Sequence, residues 1–469
     1  MVWFGLLDET ALVLPTQAVT LMEPIAPDLL QNEANSTLNS QSPSPLTIND
    51  ALPPELLLSV FDFIYTEMTQ PLSFPHTVRE VAERLRRNAL LDVMLVCRAW
   101  CDLVASSPRY WTTIDVGIRE QPLFWLNRTR GYREAQRLYL ERQLTRSGQL
   151  PIQVNIGMDK VEDFNTTFDL LRNQANRWQA LNLLTDPNNR VAEPIDQRQL
   201  ENLLNQTLPC LTSLHIGPCK IKSGGHRGGS ASLRVEAPHL RALSCELHLV
   251  IPSSTAHLIF LSITGVHLEN LQPSVEGLRV EFDQLIELRI ADCSSGAVLS
   301  TFSTPTLSKL VVDGRSTGYP VPQSLPLYPH LKELQWGDTG QDPTFSMLLP
   351  LCPNLTSFAN YVVGLEKDEP IEEPPTIILE IPNIRSQMGN EERLWPDLVE
   401  VLVDAATCGE ITELIDAVPS IQRIRVLRDP TTRGNLETQA SEIQLLENLR
   451  ERANVAVWLE PWGQNRGSS

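Results

Sequence analysis

Cysteines and histidines crowd one stretch of the chain: Cys210, His215, Cys219, His226, His239, Cys245 and His248. Thiolate and imidazole are the usual zinc ligands, but zinc needs them at set intervals, and these spacings match no zinc pattern. Cys245 falls at an inward strand position and Cys210 beside a strand entrance, so packing and surface roles fit them better. Within the same stretch, Lys220 to Ser230 reads KIKSGGHRGGS. Its glycines free the backbone to wrap a phosphate, and Lys220, Lys222 and Arg227 add charge. The order G-x-x-x-x-G-K-[ST] is missing and no helix clearly starts behind it, so we read a loop between structural units that can still touch a partner. Cys97 and Cys101 stand one helical turn apart with no third metal ligand nearby, which favours packing. The acidic run Glu366 to Glu373 reads as a solvated loop; the sharper alternative is a dock for a basic segment. G-x-S-x-G, H-E-x-x-H and the kinase signature set are all absent. We therefore expect no catalytic residue, no metal and no cofactor.

The totals narrow the remaining classes. At 469 residues the chain has room for two or three domains, or one domain and a repeat array. Its net charge of −19 argues against non-specific binding to nucleic acid or to an anionic membrane. The 8 cysteines are scattered with no C-x-x-C, which reads as reduced thiols. No run of 18 apolar residues suggests a membrane span, and Asp8 and Glu9 stand where a signal peptide would be basic. The expected location is cytoplasmic and/or nuclear.

The elements that carry the strongest local signal lie between Leu52 and Trp111. LPPELLLSVFDFI begins after Asp50, a good helix cap, and Pro53 and Pro54 suit a first helical turn. Leu52, Leu56, Val60 and Phe63 make one apolar stripe, and Leu57, Phe61 and Ile64 make a second beside it. A second helix shows Val93, Val96, Trp100 and Val104 on one face and Leu90, Met94, Cys97 and Cys101 on the next. Helices that are apolar most of the way round leave a face for something else to cover. Pro108 stops the second helix, and Tyr110 and Trp111 can fold back as a lid.

Leu52-Pro53-Pro54-Glu55-Leu56-Leu57, then Val96-Cys97-Arg98-Ala99-Trp100, then Ser107-Pro108-Arg109-Tyr110-Trp111, resembles an F-box of the form common among fungal proteins. Tyr65 to Asn88 stands where such motifs usually have a short loop, and VREVAERLRR within it has the composition of a helix. The resemblance implies docking on a Skp-type adaptor, and through it on a cullin ubiquitin ligase. It also implies the adaptor-binding residues Leu52, Pro53, Leu56, Leu57, Val60, Phe61, Val96, Cys97, Trp100, Leu103 and Trp111.

After Trp111, TTIDVG reads as a short strand and Leu123 to Thr145 as an Arg-rich helix with Ala135, Leu138, Leu140 and Leu144 as apolar positions. We expect its Arg stems to cover a neighbouring edge rather than to form a basic contact surface. From Pro151 a P-x-[LI]-x-x-[apolar] phrase recurs. It starts at Pro209, Pro238, Pro305, Pro329, Pro353, Pro396 and Pro419, and mostly continues as L-x-x-L-x-[apolar]. Weaker copies without proline start at Trp178, Leu258, Val275 and Leu285. The phrase puts alternate side chains of a short strand inward, where the next copy covers them. Steps of 24, 24 and 23 residues separate positions 307, 331 and 355, and 398 and 421. Helices fit between strands at Gln199 to Leu204 and Ile411 to Val418, and NVAVWLEPW reads as a last strand.

This region resembles the degenerate leucine-rich repeats that follow the F-box in many such proteins. The expected fold class is α/β: a small all-α F-box-like helical domain followed by an irregular leucine-rich-repeat solenoid. The expected divisions are a loose segment 1–45, the helical domain 46–118 with its insertion 65–88, a connecting helix 119–150, the solenoid 151–460 with an acidic loop 364–376, and a tail 461–469. The expected function is the substrate-recognition subunit of a Skp–cullin–F-box ubiquitin ligase, with an unknown protein target on the repeats, no nucleic acid and no membrane. A non-enzymatic scaffold whose helices merely cap the solenoid is the alternative.

Overall fold

In the computed structural model, the chain alternates short strands with turns and a few helices. The structure describes residues 52–68, 81, 89–117, 130–157, 164–184, 195–217, 221–222, 233–245, 250–252, 254–265, 280–291, 293, 295–313, 324–337, 343–361, 395–404, 415, 418–428, 444, 447 and 456–461. The chain divides at Pro53. Leu52 and Pro53 belong to the first unit, and all that follows concerns the unit from Pro54 onward. That one unit holds both the helices and the sheet, which the sequence reading separates into domains.

Among the described residues the helices that come first are α1 (Pro54–Met68), α2 (Ala89–Val96) and α3 (Arg98–Ser106), closed by a 3-10 turn at Pro108–Trp111. Two expectations are corrected here. Tyr65 does not begin the insertion, because α1 continues through Met68. The second apolar run is two helices, because Cys97 is extended (φ −161°, ψ 167°) and its carbonyl receives the Cys101 amide to start α3. An extended residue resets the helical phase, so stripes counted across Cys97 do not line up in space.

A mixed α/β body with one large parallel sheet follows. Its strands are β1 (Thr113–Val116), β2 (Ile152–Gly157), β3 (Trp178–Leu184), β4 (Ser213–Ile216), β5 (Ala242–Cys245), β6 (Phe260–Thr264), β7 (Glu287–Ala291), β8 (Lys309–Asp313), β9 (Glu333–Gly337), β10 (Ser357–Tyr361), β11 (Glu400–Asp404), β12 (Arg423–Arg428) and β13 (Ala456–Pro461). They form a single 13-stranded sheet in which each pairs in parallel with the next in that order. Between them lie helices α4 (Arg130–Arg146), α5 (Phe164–Arg172), α6 (Gln197–Leu204), α7 (Ser295–Thr301) and α8 (Pro343–Leu348). The last strand and α6 fall where the sequence places them, α4 covers the expected helix from Arg130 onward, and residues 123–129 lie outside the described residues. The short Val280–Glu281 strand, in the region of the expected Val275 copy, pairs with Phe302–Ser303 outside the large sheet. Most of Ile411 to Val418, the acidic run Glu366 to Glu373 and the loop Ser223 to Ser230 lie outside the described residues.

The register explains the stacking. Ile114, Val154, Leu181, Leu214, Leu243, Leu261, Leu288, Leu310, Leu334, Phe358, Val401 and Ile424 are successive register partners, and all are buried. Two residues on, Val116, Ile156, Leu183, Ile216, Cys245, Ile263, Ile290, Val312 and Trp336 are buried as well. One continuous core runs from Ile114 to Ile424 and takes in Leu171 of α5, Leu200 and Leu203 of α6, Leu299 of α7 and Phe345 of α8. Each buried Leu, Ile or Phe contributes about 1.5–3 kcal/mol relative to exposure.

The prolines have a more specific role than preceding a strand. In six of the phrases the residue before proline accepts a hydrogen bond from the amide of the leucine or isoleucine two residues after it: Leu208 from Leu211, Ala237 from Leu240, Thr304 from Leu307, Tyr328 from Leu331, Trp395 from Leu398 and Val418 from Ile421. Each proline therefore holds the second position of a β-turn, where its fixed φ fits and no donor is lost. The residue before it is buried every time, Cys352 before Pro353 included. That position is an additional core column that the P-x-[LI] phrase does not contain.

Candidate functional site

The candidate docking region is built from α1 to the 3-10 turn. Pro54 opens α1 at a position where a missing amide costs nothing. Once the helix forms, its two apolar stripes meet different fates. Leu57 and Phe61 are buried, Ile64 is half-buried, and Phe61 packs edge-on against Trp100 with ring centroids 5.1 Å apart. Leu56 (52% exposed), Val60 (49%) and Phe63 (68%) stand at i, i+4 and i+7 on a face in solvent, and Leu95 (83%) and Val96 (59%) project at the end of α2.

The sequence-predicted site residues therefore divide. Leu56, Val60 and Val96 are exposed apolar residues, as a docking face requires. Leu57 and Phe61 are corrected: they are core residues that hold the helices together and are not on a free face. Cys97, Trp100, Leu103 and Trp111 are half-buried; Leu52 is half-buried and Pro53 exposed in the preceding unit. Leu95 was missed: it belongs to neither stripe read from the sequence, although within α2 it stands one turn after Leu91. Phe63 was visible in the exposed stripe itself.

The 3-10 turn does fold back. The Tyr110 hydroxyl donates to Asp62 Oδ1 at 2.8 Å and lies 3.2 Å from the Leu58 carbonyl. Arg109 Nη1 pairs with Asp62 Oδ2 at 2.6 Å. Burial pushes the Tyr110 hydroxyl up to about 12, and its bond to Asp62 adds to this while Arg109 opposes it. The Trp111 indole donates to the Val104 carbonyl at 3.0 Å, capping the end of α3.

The same turn joins the helices to the sheet. The Arg146 guanidinium at the end of α4 lies over the Trp111 ring, 4.5 Å from its centroid. The Tyr65 hydroxyl is within 3.5 Å of the hydroxyls of Thr112 and Thr113, and the Thr112 carbonyl receives the Gln153 amide at 2.9 Å. On α4, Arg137 spans Glu134 and Glu141, and Leu140 and Leu144 are buried. The expected apolar position Leu138 is exposed. The turn after α4 is pinned by the buried Arg177, which donates to the Leu150 carbonyl and to Ser147 Oγ.

The sheet separates the Cys/His crowd. His215 is the register partner of Ser244, whereas Cys245 is one residue further along β5, so the two side chains point to opposite faces. Cys245 is in the core, Cys210 and His239 are exposed, and Cys219, His226 and His248 lie outside the described residues. Among the described residues no group of three or more metal-ligating side chains converges, and no helix is long and apolar enough to cross a membrane.

The face of the sheet opposite the core changes character along the chain. On β2 to β6, Asn155, Asn182, His215, Ser244 and Ser262 occupy it and are buried. Asn182 Nδ2 donates to Asn155 Oδ1 at 2.7 Å, and Asn155 Nδ2 donates to Asp115 Oδ1 at 2.6 Å. On β7 to β12 the face carries ion pairs: Glu287 with Arg289 and Lys309, Lys309 with Glu333, and Glu400 with both Arg423 and Arg425.

Compared with known proteins, the chain matches no family model and no curated protein sequence.

Proposed function

We propose that this chain is a non-catalytic substrate-recognition subunit of a Skp–cullin–F-box type ubiquitin ligase, acting in the cytoplasm or nucleus. On this reading α1 to the 3-10 turn is an F-box-like unit and the parallel sheet is an irregular leucine-rich-repeat solenoid. The observation that carries it is the solvent-facing set Leu56, Val60, Phe63, Leu95 and Val96. Exposed apolar residues in that number call for a covering partner. Leu57, Phe61 and Tyr110 meanwhile supply the internal packing that lets those residues stay outside. The order of motifs supports the same reading, with an F-box-like sequence ahead of stacked turn-and-strand phrases. The chemistry is proximity: the subunit holds a target near the ubiquitin-charged enzyme and raises the effective concentration of its lysines.

The test is capture of a purified Skp-type adaptor by the full chain, compared with Leu56→Asp and Val96→Asp. Both positions are exposed, so each variant should keep its circular dichroism and lose the adaptor. An intact wild-type chain that captures no such adaptor overturns the proposal. The second reading, a scaffold whose helices cap the sheet, is favoured by one feature. Trp111 under Arg146 ties the 3-10 turn to α4, and Tyr65 ties α1 to the start of β1. It predicts that Trp111→Ala destabilises the sheet while no adaptor binds.

A further inference from the structure

We propose that Ser59 is a phosphorylation site, and that a phosphate on it closes the apolar face of α1 to its partner. This rests on the docking proposal and adds a regulator to it.

Ser59 lies inside that face. Leu56, Ser59, Val60 and Phe63 stand at i, i+3, i+4 and i+7 of α1, and all four are exposed. Among the described residues, Ser59 holds the one hydroxyl on the exposed side of this helix. It donates to the Glu55 carbonyl at 2.9 Å, a bond that is itself exposed, so the oxygen is held in place without being covered. The other exposed serine of the described helical unit, Ser106, ends α3 and stands a whole helix beyond Val96.

The surroundings fit a kinase acceptor. Glu55 stands one helical turn before Ser59 and Asp62 one turn after, and Asp62 keeps 36% of its side chain exposed beside Arg109. Carboxylates on both sides suit a kinase with a basic substrate cleft. Entry to the cleft requires the first turns of α1 to open, and the residues that lead them, Pro54, Glu55 and Leu56, are exposed. In the transfer the γ-phosphorus of ATP gains a bond to Ser59 Oγ and loses its bond to the bridging oxygen, so that ADP leaves. The hydroxyl proton passes to a base of the kinase.

The added phosphate carries about −1.5 to −2 charges at pH 7. Covering Leu56, Val60 and Phe63 strips water from it, and the centres of protein interfaces are depleted in charge. The sequence of α1 holds no Lys or Arg to offset that cost. Glu55 and Asp62 carry the same sign as the phosphate, and Arg109 is engaged with Asp62 at 2.6 Å. The helix itself survives, because Leu57 and Phe61 pack it from the other stripe. The modification therefore removes the face and leaves the fold.

The experiment compares the full-length wild type, Ser59→Ala, Leu56→Asp, and the chain with phosphoserine incorporated at residue 59 during translation. Wild type and Ser59→Ala are also treated with ATP and an acidophilic serine kinase. Mass spectrometry should find phosphate on Ser59 of the treated wild type. Nile red, a neutral reporter of exposed apolar surface, should lose fluorescence on the phosphoserine chain as it does on Leu56→Asp. Capture of a purified Skp-type adaptor should weaken at least about tenfold on the phosphoserine chain, and kinase treatment should weaken it for wild type but not for Ser59→Ala. A treated wild type without phosphate on Ser59 overturns the inference. So does a phosphoserine chain of unchanged circular dichroism that binds Nile red and adaptor as wild type does. If neither form takes the adaptor while phosphoserine still expels Nile red, the ligase reading falls and the closing of the face stands. Equal capture by both forms sinks the switch alone.

Discussion

The two halves of the sheet share one core column but differ on their other face. On β2 to β6 that face is polar and buried, and across β1 to β3 it is joined side chain to side chain in the run from Asn182 through Asn155 to Asp115. On β7 to β12 it is charged and partly in solvent, with Glu287 and Glu400 each serving two cations. The same strand geometry thus supports a buried seam in one half and a partly exposed charged strip in the other. Buried hydrogen bonds are expensive to leave unmade, so the outer face of the first half is tied to stability. Ion pairs that keep one side chain half in solvent, as Arg423 does with Glu400, add little stability, so substitution there costs the fold less.

The comparison can be broken at the core first. Leu181→Ala on β3 and Leu334→Ala on β9 should each cost about 2–5 kcal/mol, read as a shift in the urea midpoint, because both sit in the same buried column. A large loss in one half only would show that the core is not continuous. The next largest effect separates the outer faces. Asn182→Ala deprives Asn155 Oδ1 of its short donor and should cost about 1–3 kcal/mol, whereas Gln335→Ala in the same column of β9 should stay within about 0.5 kcal/mol. Equal costs would erase the distinction. The smallest effect sharpens it. Glu400→Gln removes the shared partner of Arg423 and Arg425 and should cost under about 1 kcal/mol, a difference that disappears near 1 M salt while the Asn182→Ala cost persists.

Much of the fold was legible because its signals are local. The phrase after each proline marks a β-turn followed by a strand, and Leu307, Leu310 and Val312 or Leu331, Leu334 and Trp336 can be assigned inward from alternation alone. Reading one position further back would have recovered the column of Leu208, Tyr328, Cys352 and Trp395, since a residue before proline in a turn faces the interior here each time. The candidate site was legible as chemistry and not as geometry. Two stripes on α1 were plain, but nothing in periodicity said that Leu57 and Phe61 would be covered and Leu56 and Val60 left outside. The stripes that join Val93 to Trp100 and Met94 to Cys101 fail because one extended residue, Cys97, splits a run that pattern counting treats as a single helix.

By itself, then, the sequence determined the units: amphipathic helices, proline turns, and strands with alternating faces, all set by neighbours within a few residues. The tertiary structure alone decided the order of cover. It placed Tyr110 on Asp62 and Trp111 beneath Arg146, fixed the side of α1 that meets solvent, and joined Asn155 to Asn182 from residues 27 apart. The reason is physical. Alternation defines two faces of a strand, but burial of the second face depends on the side chains that adjacent strands bring beside it, and those come from distant parts of the chain.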